Sequence, residues 1–346
     1  VTGRRLHSLH TISVGRISMI VQPRGIVVTA ICAAILLIAA GAALMLGEPT
    51  IPLSRAYDVI TGGGAVGDRV IMLDLRANRT IVAALAGTAL GLAGALMQTV
   101  TRNPLASPDI LGITGGASVG AVTVIVANGG PAVAPWTIPL GALAGGAAIA
   151  AVIALTSAGL DPLRLVLSGI ALSALCSAGV TFLLSYVDGD VAHTAMSWLA
   201  GTLNGRGPQH IWPLVIGLTV AVCVLAPLVR HIGLLPLGVA RAATMGVDTA
   251  RTERILLFTS VVLASLATAA TGPIGFVAFV APQIVRSIVR SPAPPLVGSA
   301  LVGGIIVVVA DTVARAAIPW STPIGAVTSV FGAPLLIYYM WRSTRV

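Results

Sequence analysis

Ten apolar stretches, each close to the length of a bilayer-crossing helix, follow one another along this chain. They lie at 26–46, 80–100, 110–127, 137–157, 165–186, 211–229, 255–271, 274–290, 296–314 and 324–341. A hydrocarbon core takes about 20 mostly apolar residues per spanning helix, and Gly, Pro or a charge marks most of the boundaries between the runs. The expected fold is therefore all-α: a polytopic membrane protein of about ten transmembrane helices. The stretch 255–290 is the least regular, because Thr271-Gly272-Pro273 interrupts it, and a tight outer turn is expected there.

Composition agrees. Only 9% of the residues are charged and 56% are hydrophobic, whereas a soluble domain carries roughly 25% charged residues. A water-facing surface cannot be built from so few charges. All of the basic residues are Arg, and the formal charge is +9. A nucleic-acid binder clusters its Arg on one soluble face; here Arg sits mostly between apolar runs, which excludes that class and points to topology. Placing the N-terminus inside leaves Arg55, Arg69, Arg76, Arg79, Arg206 and Arg315 outside and the remaining Arg inside, a bias of roughly two to one in the sense of the positive-inside rule. Both termini are then cytoplasmic. Residues 1–25, with Arg4, Arg5, Arg16 and Arg24, read as a cytoplasmic N-terminal segment, and 26–346 as a single transmembrane domain. The start has some look of a signal peptide, but the apolar run is long and no clear cleavage site follows, so a retained first helix is expected.

Glycine recurs at a spacing of four at Gly87 and Gly91, Gly112 and Gly116, Gly116 and Gly120, and Gly141 and Gly145. Small residues at that spacing let helix backbones approach closely in lipid. Cys32, Cys176 and Cys223 lie far apart in apolar runs and read as packing residues. The Gly62–Gly67 stretch fits GxGxxG, but a dinucleotide site needs a preceding strand, so it reads as a loop between spans. A P-loop requires Lys, and the chain has none; if transport is driven by ATP, another subunit supplies the ATPase. His7, His10, His193, His210 and His231 share no ligand spacing, and no metal or cofactor is implied.

Three features remain. Asp311 lies four residues before Arg315, the spacing of a helical ion pair, although a membrane Asp also suits a proton relay. Arg76 and Arg79 lie three apart, on one helix face at the outer mouth of the second span; interfacial snorkelling and docking of an acidic soluble partner are both open on the residues alone. The inner segment 230–254 interleaves Arg with apolar residues and is long enough for two short helices broken at Gly246. It can rest on lipid or form a platform for a cytoplasmic partner.

These segments resemble the FecCD-type permeases of bacterial ABC importers for ferric siderophores, haem and vitamin B12. The resemblance runs from about residue 50 to 341. It is carried by Ala-Gly-Thr-Ala-Leu-Gly-Leu-Ala-Gly-Ala-Leu-Met-Gln within Arg79–Gly120, followed by Arg102-Asn103-Pro104-Leu105-Ala106-Ser107-Pro108 and Leu111-Gly112. Leu167-Ser168-Gly169-Ile170-Ala171-Leu172 and Gly272-Pro273-Ile274-Gly275-Phe276-Val277 come next, then Ala281-Pro282-Gln283-Ile284-Val285-Arg286. Ala310-Asp311-Thr312-Val313-Ala314-Arg315, Thr322-Pro323-Ile324-Gly325 and Gly332-Ala333-Pro334 complete it.

The resemblance implies a ten-helix permease in the bacterial inner membrane. Its implied partners are a second permease, homologous or identical, two cytoplasmic ATP-binding subunits and an extracytoplasmic binding protein that delivers a ferric siderophore. It implies that Arg76, Arg79 and Arg315 receive acidic residues of the binding protein. It assigns ATPase coupling to 236–254, with Leu237, Gly238, Ala242, Met245, Gly246 and Arg251, and the cytoplasmic gate to Asn103 and Leu105 on one loop and Pro162 and Leu163 on another. Small hydroxyl residues can occur at the latter pair in the family. Many members carry His where this chain has Gln283, and Gln there resembles one half of certain heteromeric siderophore permeases. Haem or cobalamin import is the alternative within the family. A proton-coupled secondary transporter is the alternative outside it, but it needs acids or His along the path, and the spans offer almost none. A membrane enzyme would need a catalytic cluster, which the sequence lacks.

Overall fold

The computed structural model describes residues 10–14, 17–21, 23–130, 134, 136–156, 162–290, 295–316 and 322–343. Each expected apolar run is a helix. They are α1 (Pro23–Met45), α4 (Asn78–Thr101), α5 (Ile113–Ala127), α6 (Thr137–Thr156), α7 (Pro162–Leu184), α9 (Pro208–Leu225), α12 (Thr249–Thr271), α13 (Val277–Val289), α14 (Leu296–Ala316) and α15 (Ile324–Ser343). Among the described residues, six helices are long and apolar enough to cross a membrane by length and composition, and the other four are shorter apolar helices. The turn at Thr271-Gly272-Pro273 is where it was expected, with Gly272 at φ 75° ending α12.

The structure adds what apolar runs do not announce. Between α1 and α4 lie α2 (Leu53–Ile60) and α3 (Val66–Arg69), and α3 continues through a π-helical stretch, Val70–Ala77, directly into α4. The Gly62–Gly67 stretch forms the turn before α3 and the first residues of that helix, and it follows α2, not a strand. An amphipathic helix, α8 (Gly189–Leu199), fills part of the connection before α9. After α9 come two short helices, α10 (Val229–Leu234) and α11 (Val239–Thr244). They are broken at Pro236-Leu237-Gly238, where the expectation had placed the break at Gly246. Gly238 has φ 97°, and Gly246, at φ 82°, instead separates α11 from α12. Pro236 cannot donate into a continuing helix and Gly238 takes the left-handed turn without strain.

The all-α expectation holds for the bundle, and a short hairpin precedes it. β1 (His10–Val14) pairs antiparallel with β2 (Ile17–Val21), His10 opposite Val21. The Ile, Val and Thr of these segments favour strand over helix. Arg4, Arg5, Arg16 and Arg345 lie outside the described residues.

The bundle is built around α4, which packs against α14, α12, α13 and α9, while α1 packs on α14 and α5 on α6. Buried residues lie all round α4, as expected of a helix with other helices on every side. The approach is close enough to exclude side chains. A Cβ added at Gly87 or Gly91 would collide with the backbone of Gly303 and Ser299 on α14, and one at Gly94 with the Ala278 carbonyl on α13. The second seam joins Gly116 and Gly120 to Gly145 and Gly141. Three of the glycine pairs read from the sequence thus line helix contacts. The outer faces carry exposed Leu37, Phe182, Trp212 and Phe331, an apolar surface suited to lipid.

Gly91→Val therefore forces α4 away from α14, and overpacking of this kind costs about 1–3 kcal/mol. Thermal unfolding in detergent should fall accordingly, whereas the same change at Gly67, which has open space around it, should leave the midpoint in place.

Candidate functional site

The last carbonyls of α1 have no partner within the helix, and two arginines supply them. Arg76 Nη1 donates to the Leu44 and Met45 carbonyls at 3.1 and 3.2 Å, and Nη2 to Pro49 at 2.6 Å. Arg315 Nη2 donates to the Ala43 carbonyl at 3.0 Å and Nη1 to Leu46 at 3.3 Å. Cations at this end also oppose the negative pole of the α1 dipole. Arg76 is 5% exposed, so most of its guanidinium surface is already covered.

Asp311, 1% exposed on α14, joins the other two arginines. Arg79 Nε and Nη2 donate to Asp311 Oδ1 at 2.8 and 2.6 Å, and Nε also reaches Oδ2 at 3.1 Å. Arg315 Nε donates to Oδ2 at 3.0 Å. Arg79 Nη1 also bonds Asn204 Oδ1. The helical pair Asp311–Arg315 read from the sequence is present; the longer-range Arg79–Asp311 pair was not legible, because 232 residues separate the partners. Arg76, Arg79 and Arg315 come together on a basin of about 680 Å³ also lined by Asp74, Asn204 and Arg206. Arg206 donates to the Thr202 carbonyl at 3.3 Å and lies 3.1 Å from the buried His210 ring. Burial lowers the Arg206 pKa to about 10. An arginine in the loop before α9 was the available signal for its place here.

The far end of α4 lies about 36 Å away at 1.5 Å per residue. There Arg102 turns the chain in the left-handed region, φ 50°. Asn103 Oδ1 accepts the Leu105 N–H at 2.9 Å, and the Asn103 carbonyl accepts Ala106 N–H at 3.1 Å. These bonds give the loop carrying Asn103 and Leu105 a defined turn. Its end, Leu111-Gly112, packs on α7 at Gly169 and Ser173. Pro162 and Leu163 open α7, two turns earlier; their side chains lie outside the described residues. Asp109 in the same loop keeps some exposure as a residue, but its Oδ1 is sealed and has no hydrogen-bond partner. Burial pushes the carboxyl up to about 6, and a Thr114 hydrogen bond opposes the shift.

The segment between α9 and α12 packs on α4 and on α12, whose Glu253 pairs with Arg102. Leu237 and Met245 are exposed, as is Arg251, while Ala242 is buried. Asp248 caps α12, its Oδ1 accepting the Arg251 N–H at 3.0 Å. Among the described residues no group of three or more His, Cys, Asp or Glu gathers as a metal site would need.

Residues 25–342 match the FecCD transport family. The chain is 38% identical over 279 residues to the Fe(3+)-citrate import system permease protein YfmE of Bacillus subtilis (strain 168), covering 80% of this chain and 83% of the relative. It is 34% identical over 316 residues to the ferric enterobactin transport system permease protein FepD of Escherichia coli (strain K12), covering 90% and 94%. Its fold matches an inward-facing conformation of a putative metal-chelate type ABC transporter, with a TM-score of 0.79 and 25% identity, over 92% of this chain and 99% of the other.

Two outcomes are expected of these sites. Asp311→Asn leaves Arg79 and Arg315 without their carboxylate and should cost about 3 kcal/mol. Asp311→Asn combined with Arg79→Gln should cost clearly less than the sum of the singles; strict additivity in unfolding would show that the pair is not coupled. The Asp109 carboxyl, raised from 3.8 to about 6, favours the folded state below its unfolded pKa and loses that contribution as pH rises through about 6. Melting curves at about pH 5 and about pH 7.5 should therefore separate more for the parent than for Asp109→Asn.

Proposed function

The chain belongs to the FecCD transport family, and we propose that it is the permease subunit of an ATP-binding-cassette importer that carries a ferric siderophore-type chelate across the inner membrane of a bacterium. One observation carries this reading. The family match runs from 25 to 342, and the relatives along it are permeases of a Fe(3+)-citrate import system and a ferric enterobactin transport system. The helical membrane fold agrees with it.

On this reading the arginine basin faces outward and both termini face the cytoplasm, in keeping with the two-to-one Arg bias. An extracytoplasmic binding protein brings the chelate, and its acidic side chains enter the basin formed by Arg76, Arg79 and Arg315. Asp311 balances only part of their charge. Arg79 and Arg315 retain 17% and 14% side-chain exposure, so they meet the partner first, while Arg76 fixes the wall behind them. Two cytoplasmic ATP-binding subunits rest on 236–254, where exposed Leu237 and Met245 flank the buried anchor Ala242 and Arg251 follows. Gly238 and Gly246 let that segment turn away from the bundle. A second permease of the same type covers part of the exposed apolar surface, and lipid covers the rest. The path closes on the cytoplasmic side at Asn103 and Leu105, opposite the α7 start at Pro162 and Leu163. ATP binding and hydrolysis in the partner subunits move the 236–254 segment and open the path alternately.

The test is uptake into liposomes holding the permease, its ATPase and its binding protein. Ferric siderophore should enter only with ATP and binding protein present. Entry driven by a proton gradient without the ATPase, or transport of cobalamin in place of ferric chelates, would overturn the mechanism or the substrate respectively. Arg79→Glu should weaken binding-protein affinity by roughly tenfold at low salt, with the difference shrinking as salt screens it.

A further inference from the structure

The loop that carries Asn103 and Leu105 is held at two points by buried or half-buried polar groups that the family reading does not use. The first is Arg102, whose Nη2 donates to Glu253 Oε1 at 2.5 Å. Glu253 is 7% exposed and sits in the second turn of α12, directly after the Gly246–Asp248 connection that joins α12 to α11. The second is Gln283 on α13. Its Nε2 donates to the Pro104 carbonyl at 2.8 Å and to Gln98 Oε1 at 2.7 Å. Gln98 on α4 in turn donates from Nε2 to the Phe279 carbonyl of α13 at 3.2 Å.

The two tethers differ in what they join. Gln98 and Gln283 tie the loop to α4 and α13, which pack on each other inside the bundle. Arg102–Glu253 ties the loop to the end of α12 that carries α11 and its exposed Leu237 and Met245 nearby. A shift of that end of α12 would be passed to Arg102 by the ion pair, while the Gln283 bond would hold Pro104, two residues on. The chain between the two points would then rotate, and Asn103 lies within it.

We propose that Glu253 and Gln283 are positioning residues that act on the Asn103–Leu105 loop from opposite sides, Glu253 as the moving link to the 236–254 segment and Gln283 as the fixed anchor. This rests on the reading of the chain as an ABC permease. Glu253 works through charge, since the Arg102 guanidinium needs a carboxylate to follow the displacement of α12. Gln283 works through its two N–H groups, which a side chain of equal size without donors cannot replace.

The experiment uses the complete transporter in liposomes and reads substrate moved per ATP hydrolysed. Glu253→Gln and Gln283→Leu should each lower that ratio by roughly tenfold, the loss expected when a charged or paired buried hydrogen bond is removed, with ATP hydrolysis itself retained. They should also speed amide hydrogen exchange across 102–106. The exchanged pair Arg102→Glu with Glu253→Arg should bring the ratio back towards the parent. Parent-like ratios in both single variants, or a swapped pair no better than Glu253→Gln alone, would overturn the proposal while parent uptake stays ATP-dependent. Loss of ATP-dependent uptake in the parent would instead overturn the permease reading. Should Glu253→Gln fail to assemble with the ATPase, Glu253→Asp keeps the charge one methylene short and should show a smaller fall in the same ratio.

Discussion

The contact between α4 and its neighbours α14 and α13 is the constraint on which the rest depends. Lipid tails are as apolar as leucine, so helices in a membrane gain little by hiding apolar side chains from one another. They associate by packing, and packing is best where backbones touch. Gly87, Gly91 and Gly94 on α4 remove the side chains that would hold α14 and α13 apart, and Gly303 does the same from the other side. With α4 fixed in this way, the side chains near its two ends are placed as well, and the loop that begins at Arg102 lies beyond that frame. Arg76 and Arg79 sit at one end, and Gln98 at the other. The helix is both the core of the bundle and the ruler between the two sites.

The same electrostatic solution appears at both ends. A guanidinium cannot sit half-buried beside a bilayer without partners. At the basin the partners are the unpaired carbonyls of α1 and the carboxylate of Asp311, shared between Arg79 and Arg315. At the loop the partner is Glu253. The charges therefore do structural work before they do any work on a ligand. The consequence differs with depth. Arg76 is committed to the end of α1 and to Pro49 just after it, whereas Arg79 and Arg315 keep an exposed edge. A cluster of three arginines is thus graded from scaffold to contact surface.

Most of the architecture was legible because a hydrophobic run is local information. The span at 80–100 and α4, or the span at 296–314 and α14, differ by two residues or fewer at each end. The glycine spacing was legible for the same reason, and it marked the right helix faces. What escaped was either amphipathic or distant. α2 and α8 mix polar with apolar residues and read as connections. The polar start of α12, with Arg251, Glu253 and Arg254, hid six residues of that helix behind an apparent loop. Gly246 drew attention as the breaker of 230–254, but Pro236 and Gly238 together make the break between α10 and α11. Of the site, the residues could be named, yet Arg79–Asp311 and Arg102–Glu253 join positions 232 and 151 apart. No periodicity reports on pairs that only the folded bundle brings together.

Position 283 shows how such a pair changes the meaning of a single residue. Gln and His are both neutral, polar and of moderate size, and on sequence alone the exchange looks mild. In the fold the side chain must donate twice, to the Pro104 carbonyl and to Gln98 Oε1. A carboxamide carries two N–H groups on one nitrogen and meets both acceptors. A neutral imidazole has one N–H, so it would leave either the loop carbonyl or the Gln98 oxygen unpaired, and only the imidazolium could serve both. Gln98 is already committed through its own N–H to Phe279 on α13 and cannot turn its amide round without losing that bond. The glutamine at 283 therefore gives this chain a loop anchor that is complete at every pH, where histidine would supply one only when charged.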